Sequence, residues 1–156
     1  MSEDSRLMRI AIDEARAGLA KGEQPFGTVI TSKETIVCQT HSLKVSTSDP
    51  TAHSETLAIR AASHKLQQRA LADCVVYTTC EPCPMCLGAI YWARLRRVYF
   101  ANTRIDAAQI GFDDEFIYRE VAQVPELRKI PHVRLMGENA QLAFKEWAAS
   151  PEKIRY

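Results

Sequence analysis

The stretch Tyr77-Thr-Thr-Cys80-Glu-Pro-Cys83-Pro-Met-Cys86-Leu-Gly-Ala-Ile-Tyr91 decides how the rest of the chain is read. Cys83 and Cys86 stand three apart, with Pro82 just before the pair and Pro84 inside it. Proline suits the first turn of a helix, where its missing N–H would have no partner anyway, so a helix is expected over Pro84 to Leu95. Residues three apart on a helix share a face, which aims both thiols the same way. The dipole and unpaired N–H groups of a helix start also favour thiolate, the metal-binding form.

On either side of that helix, Cys74 to Thr79 and Arg97 to Ala101 are β-rich runs and read as strands. Strand, helix, strand in that order predicts a crossover and a parallel pair. Further upstream, Phe26 to Ile30 and Thr35 to Gln39 flank the polar Ser32-Lys33-Glu34, which predicts a hairpin. A helix is expected over Asp4 to Lys21 from the stripe Met8, Ile12, Ala15 and Leu19, closed by Gly22. Another should start between Asp49 and Thr51 and run through Leu57, Ala58, Ala61, Ala62 and Leu66. Downstream come short helices and loops over 104–128, a strand at His132 to Met136, a helix over Glu138 to Ala149 and a tail from Pro151 to Tyr156. Neither repeat nor linker interrupts the pattern, so residues 1–156 are expected to form one α/β domain.

Composition narrows the function classes. With 46% hydrophobic and 25% charged residues, 156 residues suffice for a globular core. No apolar run approaches the ~20 residues of a membrane span, and the acidic start lacks a secretory pattern, so a cytoplasmic location is expected. The net charge of +1 argues against a nucleic acid partner, whose phosphates call for a basic excess. The lone basic cluster, Arg94, Arg96 and Arg97, reads as a solvated turn between helix and strand. Five cysteines without a secretory signal do not suggest a disulfide framework; three of them, within seven residues, suggest a metal.

His53 and Glu55 supply the missing half of such a site. Two residues apart in mid-helix they would diverge by ~200°. At a helix start both can turn toward one point near the axis. His53, Cys83 and Cys86 then make three ligands with one position open, the layout of a catalytic zinc rather than a closed structural one. One Zn2+ is expected, with a water or hydroxide bound and its pKa lowered to ~7. Glu55, beside the metal but not on it, is placed to take that proton and hand it to a ring nitrogen and a leaving amine. That chemistry is hydrolytic deamination of an amino-substituted heterocycle. Cys80 could close the shell as a fourth ligand and is left open at this point. An iron–sulfur cluster is disfavoured, because the cysteine that a ferredoxin run needs is replaced by Ile90.

The spacing H-x-E…P-C-x-x-C is that of zinc nucleobase deaminases, and the chain resembles the cytidine-deaminase-like superfamily. More narrowly it resembles the bacterial guanine deaminases, through Asp49 to Glu55, Cys80 to Arg94, and Asp106-Ala-Ala with Gly111-Phe-Asp-Asp-Glu-Phe-Ile-Tyr118. The resemblance implies a three-layer α/β/α fold around a central mixed sheet of five strands, and a homodimer. It implies that the C-terminal tail, residues 151–156, is exchanged between subunits so that Tyr156 closes the partner's site. It also implies that Phe26 stacks on the base, that Asp114 assists binding or proton transfer, and that Trp92 is an active-site aromatic. Two expected substrate contacts depart from the family pattern. Ser42 stands where a base-reading asparagine is usual, and Ser54 stands between the metal His and the Glu where alanine is common. A serine cannot offer both an amide donor pair and a carbonyl acceptor. Guanine is therefore the expected substrate, read with help from His41. A related base or nucleoside (guanosine, cytosine, an aminotriazine or a pterin-like ring) is the alternative, with a tRNA adenosine deaminase or RNA-binding relative behind it.

Overall fold

In the computed structural model, which describes residues 2–154, four of the five expected strands form. They are β1 (Gly27–Ser32), β2 (Thr35–His41), β3 (Cys74–Cys80) and β4 (Arg97–Asn102). The sheet order is β2-β1-β3-β4, with β1 antiparallel to both neighbours and β3 parallel to β4. At the hairpin turn Lys33 and Glu34 have φ of 47° and 67°, so the tight turn forms in the left-handed region without a glycine. Two positive φ values match the twist of the strands they join.

The expected strand at His132 to Met136 does not form, and the sheet of the described residues has four strands rather than five. A strand needs a ladder partner and a face to bury. This segment has no ladder partner among the described residues, and Val133 is 83% exposed. Pro131 removes a backbone donor at its start as well.

The helices are α1 (Glu3–Leu19), α2 (Lys44–Thr47), α3 (Ser54–Leu66), α4 (Pro84–Trp92), α5 (Arg104–Gln109), α6 (Glu115–Ala122) and α7 (Gly137–Ala149), with a 3-10 turn at Pro125–Leu127. On one face of the sheet, Leu7 and Ala11 of α1 pack with Val29 and Tyr77. On the other, Ala58 and Ala62 of α3 and Ile90 of α4 pack with Ile30, Val37 and Val76. The result is the expected α/β/α layering. The chain divides into two compact units, residues 1–118 and 119–156, the second holding the end of α6, the 3-10 turn and α7. Among the described residues no helix is long and apolar enough to cross a membrane.

Two boundaries differ from expectation for local reasons. The helix expected from Asp49 starts at Ser54 instead, because Asp49 Oδ1 accepts hydrogen bonds from the Thr51 N–H (2.8 Å) and hydroxyl (2.7 Å) and closes a separate turn. The buried stripe of α1 is Leu7, Ala11, Ala15 and Gly18, one step round from the expected Met8, Ile12 and Leu19. Small residues win there because the helix lies almost on the strand. A Cβ on Gly27 would meet the Ala11 carbonyl oxygen at 2.1 Å and the Ala15 nitrogen at 2.6 Å. Backbone cannot yield as a side-chain tip can, so Gly27→Ala should cost about 3 kcal/mol or more, beyond the usual overpacking range. Chemical denaturation would measure it, and an unchanged midpoint would refute the close-approach account.

Candidate active site

Both halves of the predicted metal site fall on helix starts, at the N-cap itself in each case. His53 caps α3 in an extended conformation (φ −71°, ψ 150°), and Cys83 caps α4 the same way (φ −63°, ψ 167°). β3 ends at Cys80, and the two prolines then time the helix. Each disfavours helical backbone in the residue before it, so Glu81 and Cys83 stay extended and α4 begins at Pro84. His53 Nδ1 lies 3.6 Å from Cys83 Sγ and 3.5 Å from Cys86 Sγ. Bond lengths of ~2.3 Å to sulfur and ~2.0 Å to nitrogen at tetrahedral angles require an N···S separation of about 3.6 Å. The donor set therefore fits zinc in type and in spacing.

Among the described residues, His53, Cys83 and Cys86 are the group of three or more potential ligands close enough to hold one ion. Cys80 is not among them. Its Sγ lies 3.8 Å from the Thr103 carbonyl, apart from that group, and burial pushes its thiol up to about 11. Cys83 is driven well below the ordinary thiol range, first by the hydrogen bond from Cys86 and then by His53, while Cys86 is raised as the partner that keeps its proton.

A cavity of ≈ 320 Å³ opens over these residues. That is at the small end of the ~300–1,000 Å³ typical of small-molecule sites. Its walls include Phe26, His53, Glu55, Cys83, Phe112 and Asp114. Phe26 meets Phe112 edge to face at 5.0 Å, which holds its ring in place and leaves a face for a flat ligand. The Glu55 side chain is buried, and that burial raises its carboxyl above the ordinary value, helped by the nearby Cys83 charge. Asp114, just before α6, is raised by burial first and by Cys83 second. Both carboxyls are thus raised above the ordinary carboxylate range by their burial in the cavity wall.

Several expected contacts lie elsewhere. Ser54 is 0% exposed, its hydroxyl turned to Thr28 and Glu55 rather than into the cavity. Ser42 is likewise buried and its Oγ lies 3.5 Å from the Ala52 carbonyl. Trp92, at the end of α4, is 67% exposed and does not line the cavity. His41 is turned away too, its Nδ1 at 3.0 Å from Glu14. Tyr156 lies outside the described residues. Conversely Gln24, Lys44, Glu81 and Arg104 line the cavity, although no sequence signal singles them out. They come from four separate segments, and their shared wall exists only once β1, β3, α2 and α5 are in place.

Residues 1–102 match the family described as the cytidine and deoxycytidylate deaminase zinc-binding region. The chain belongs to this zinc-dependent deaminase family. Within it, guanine deaminase of Bacillus subtilis (strain 168) is 41% identical over 151 residues, covering 97% of this chain and 95% of that one. The crystal structure of guanine deaminase from Bacillus subtilis superposes with a TM-score of 0.94 at 40% identity, covering 97% of this chain and 98% of that one. A tRNA-specific adenosine deaminase of Aquifex aeolicus is 37% identical over 95 residues, 61% of this chain and 63% of its own. The family's metal is zinc, and the donors of this deaminase suit it.

Single substitutions His53→Ala, Cys83→Ser and Cys86→Ser should each abolish stoichiometric zinc in purified protein by atomic emission, while Cys80→Ser keeps it. Loss of zinc in Cys80→Ser would overturn the three-ligand site.

Proposed function

We propose that this deaminase hydrolyses guanine to xanthine and ammonia. The reading is carried by the extent of the likeness. Similarity to guanine deaminase runs over 97% of the chain at 41% identity, whereas the tRNA-specific adenosine deaminases match 61–83% of it at 30–37% identity. The cavity is of a size that suits one fused ring system.

When bound by His53, Cys83 and Cys86, zinc acidifies water into a nucleophile at neutral pH. Guanine stacks on Phe26, with its amino-bearing carbon toward the ligands. Glu55 accepts the proton released from water and delivers it to the adjacent ring nitrogen. It then takes the second proton from the new C–OH group and hands it to the departing amine. A C–O bond forms, the C–N bond breaks and ammonia leaves, so guanine plus water equals xanthine plus ammonia. The buried Glu55 carboxyl suits a group that must both take and give protons. Asp114 faces the same cavity and assists as a second acceptor for the base N–H groups. Because Ser42 and His41 are engaged elsewhere, the Gln24 amide on the cavity wall takes over reading of the base edge.

Purified protein should release ammonia from guanine, and Glu55→Gln should lower kcat by at least ~10³. Gln24→Leu should raise KM for guanine with less effect on kcat. Turnover of adenine, cytosine, guanosine or tRNA adenosine with guanine untouched would refute the substrate and leave the chemistry standing.

The chain also functions as a homodimer that exchanges its C-terminal tail, residues 151–156, so that Tyr156 closes the partner's cavity. Supporting this, β4 is paired on one side only among the described residues. Large apolar side chains such as Tyr91, Leu135 and Phe144 are exposed, more surface than a monomer usually leaves open. The five cysteines are all free, which fits the reducing cytoplasm. Light scattering should give twice the chain mass, and deletion of 151–156 should raise KM. A fully active monomer lacking the tail would exclude the exchange.

A further inference from the structure

The reaction as described leaves a row of buried hydroxyls without a role. Thr28 on β1 and Thr78 on β3 stand opposite each other in the ladder, with their Oγ1 atoms 3.2 Å apart. Thr28 Oγ1 is 2.8 Å from Ser54 Oγ, and Ser54 Oγ is 3.1 Å from Glu55 Oε2. All four residues are buried. Along the same strand face, the neighbouring positions Ile30 and Val76 are aliphatic core. A buried hydroxyl is costly unless it is hydrogen-bonded, so these three serve one another and the carboxylate at the end.

Counting protons gives the row a direction. An ionised carboxylate only accepts, so Ser54 donates to Glu55. A hydroxyl has one proton to give, so Ser54 must then accept from Thr28, whose proton goes to the nearer Ser54 (2.8 Å) rather than to Thr78 (3.2 Å). Each bond polarises the next toward Glu55. The backbone is tied down at the same point, where the Thr40 hydroxyl donates to the Ser54 carbonyl at 2.8 Å.

We infer that Thr28 and Ser54 are positioning residues that hold Glu55 by one carboxylate oxygen, so that the other carries the proton to substrate. Ser54 stands where a substrate contact was expected and acts from behind the catalytic acid. The inference rests on Glu55 as the proton carrier of the proposed deamination.

The test compares Ser54→Ala, Ser54→Cys, Thr28→Val, Thr28→Ser and the Ser54→Ala/Thr28→Val double variant in the zinc-loaded enzyme, with Glu55→Gln as control. Ser54→Ala, Ser54→Cys and Thr28→Val should each lower kcat about tenfold with KM within twofold. Thr28→Ser, which keeps the hydroxyl, should restore kcat. The double variant should be no slower than Ser54→Ala, because the row is already cut. Zinc content and the affinity for xanthine should stay at wild-type values. Wild-type kcat in Ser54→Ala and Thr28→Val overturns the inference, as does a loss confined to KM or an additive loss in the double variant. Should Thr28→Val fail to fold, the two Ser54 variants decide alone. If Glu55→Gln retains activity, the proton-carrier reading itself fails, a result separate from any of these.

Discussion

Two helix starts that face each other at close range are the constraint on which this structure depends. The N-caps of α3 and α4, His53 and Cys83, present side chains 3.6 Å apart. Each helix start carries a partial positive charge of roughly half a unit, so bringing two together is unfavourable unless negative charge lies between them. The Cys83 thiolate, with the Glu55 carboxyl beside it, supplies that charge. The group that eases the electrostatic conflict is therefore also part of a ligand set.

What holds the two starts in place is the sheet. β3 delivers Cys80 and the Glu81-Pro82 turn into α4, while β1 lies between β3 and β2 and sets the distance to α3. α1 closes the other face at a spacing that only Gly27 permits. Near the site the sheet core changes character from aliphatic to hydroxylic, through Thr28, Thr78 and Ser54, yet no buried side-chain N or O atom among the described residues lacks a partner. A fully satisfied polar core of this kind gives rigidity rather than a store of stability.

Around this rigid centre, the groups that touch substrate come from less regular chain. The 24–26 segment, the turn before α3, α5 with its Thr103–Asp106 capping box and the 112–114 loop each contribute a wall. Such loops tolerate change more readily than the sheet does, which explains how one zinc chemistry serves several bases across the family.

The motif residues were legible because their chemistry and spacing are local. Prolines mark the helix start, three-residue spacing sets the Cys83–Cys86 face, and an N-terminal His-x-Glu needs only one turn of helix. The hairpin and the parallel β3–α4–β4 unit were legible for the same reason, since periodicity and turn residues act over a few positions. The sequence by itself thus determined the fold class and the His53, Cys83 and Cys86 cluster that could hold the metal. Tertiary structure alone decided that the Ser54 hydroxyl turns to Thr28 and Glu55. It likewise decided that Cys80 turns to Thr103, that Gln24 and Arg104 share a wall, and that His132 to Met136 gains no strand partner within the described sheet. Those outcomes depend on which side chains far apart in sequence arrive at the same place, and no local pattern encodes a meeting between distant segments.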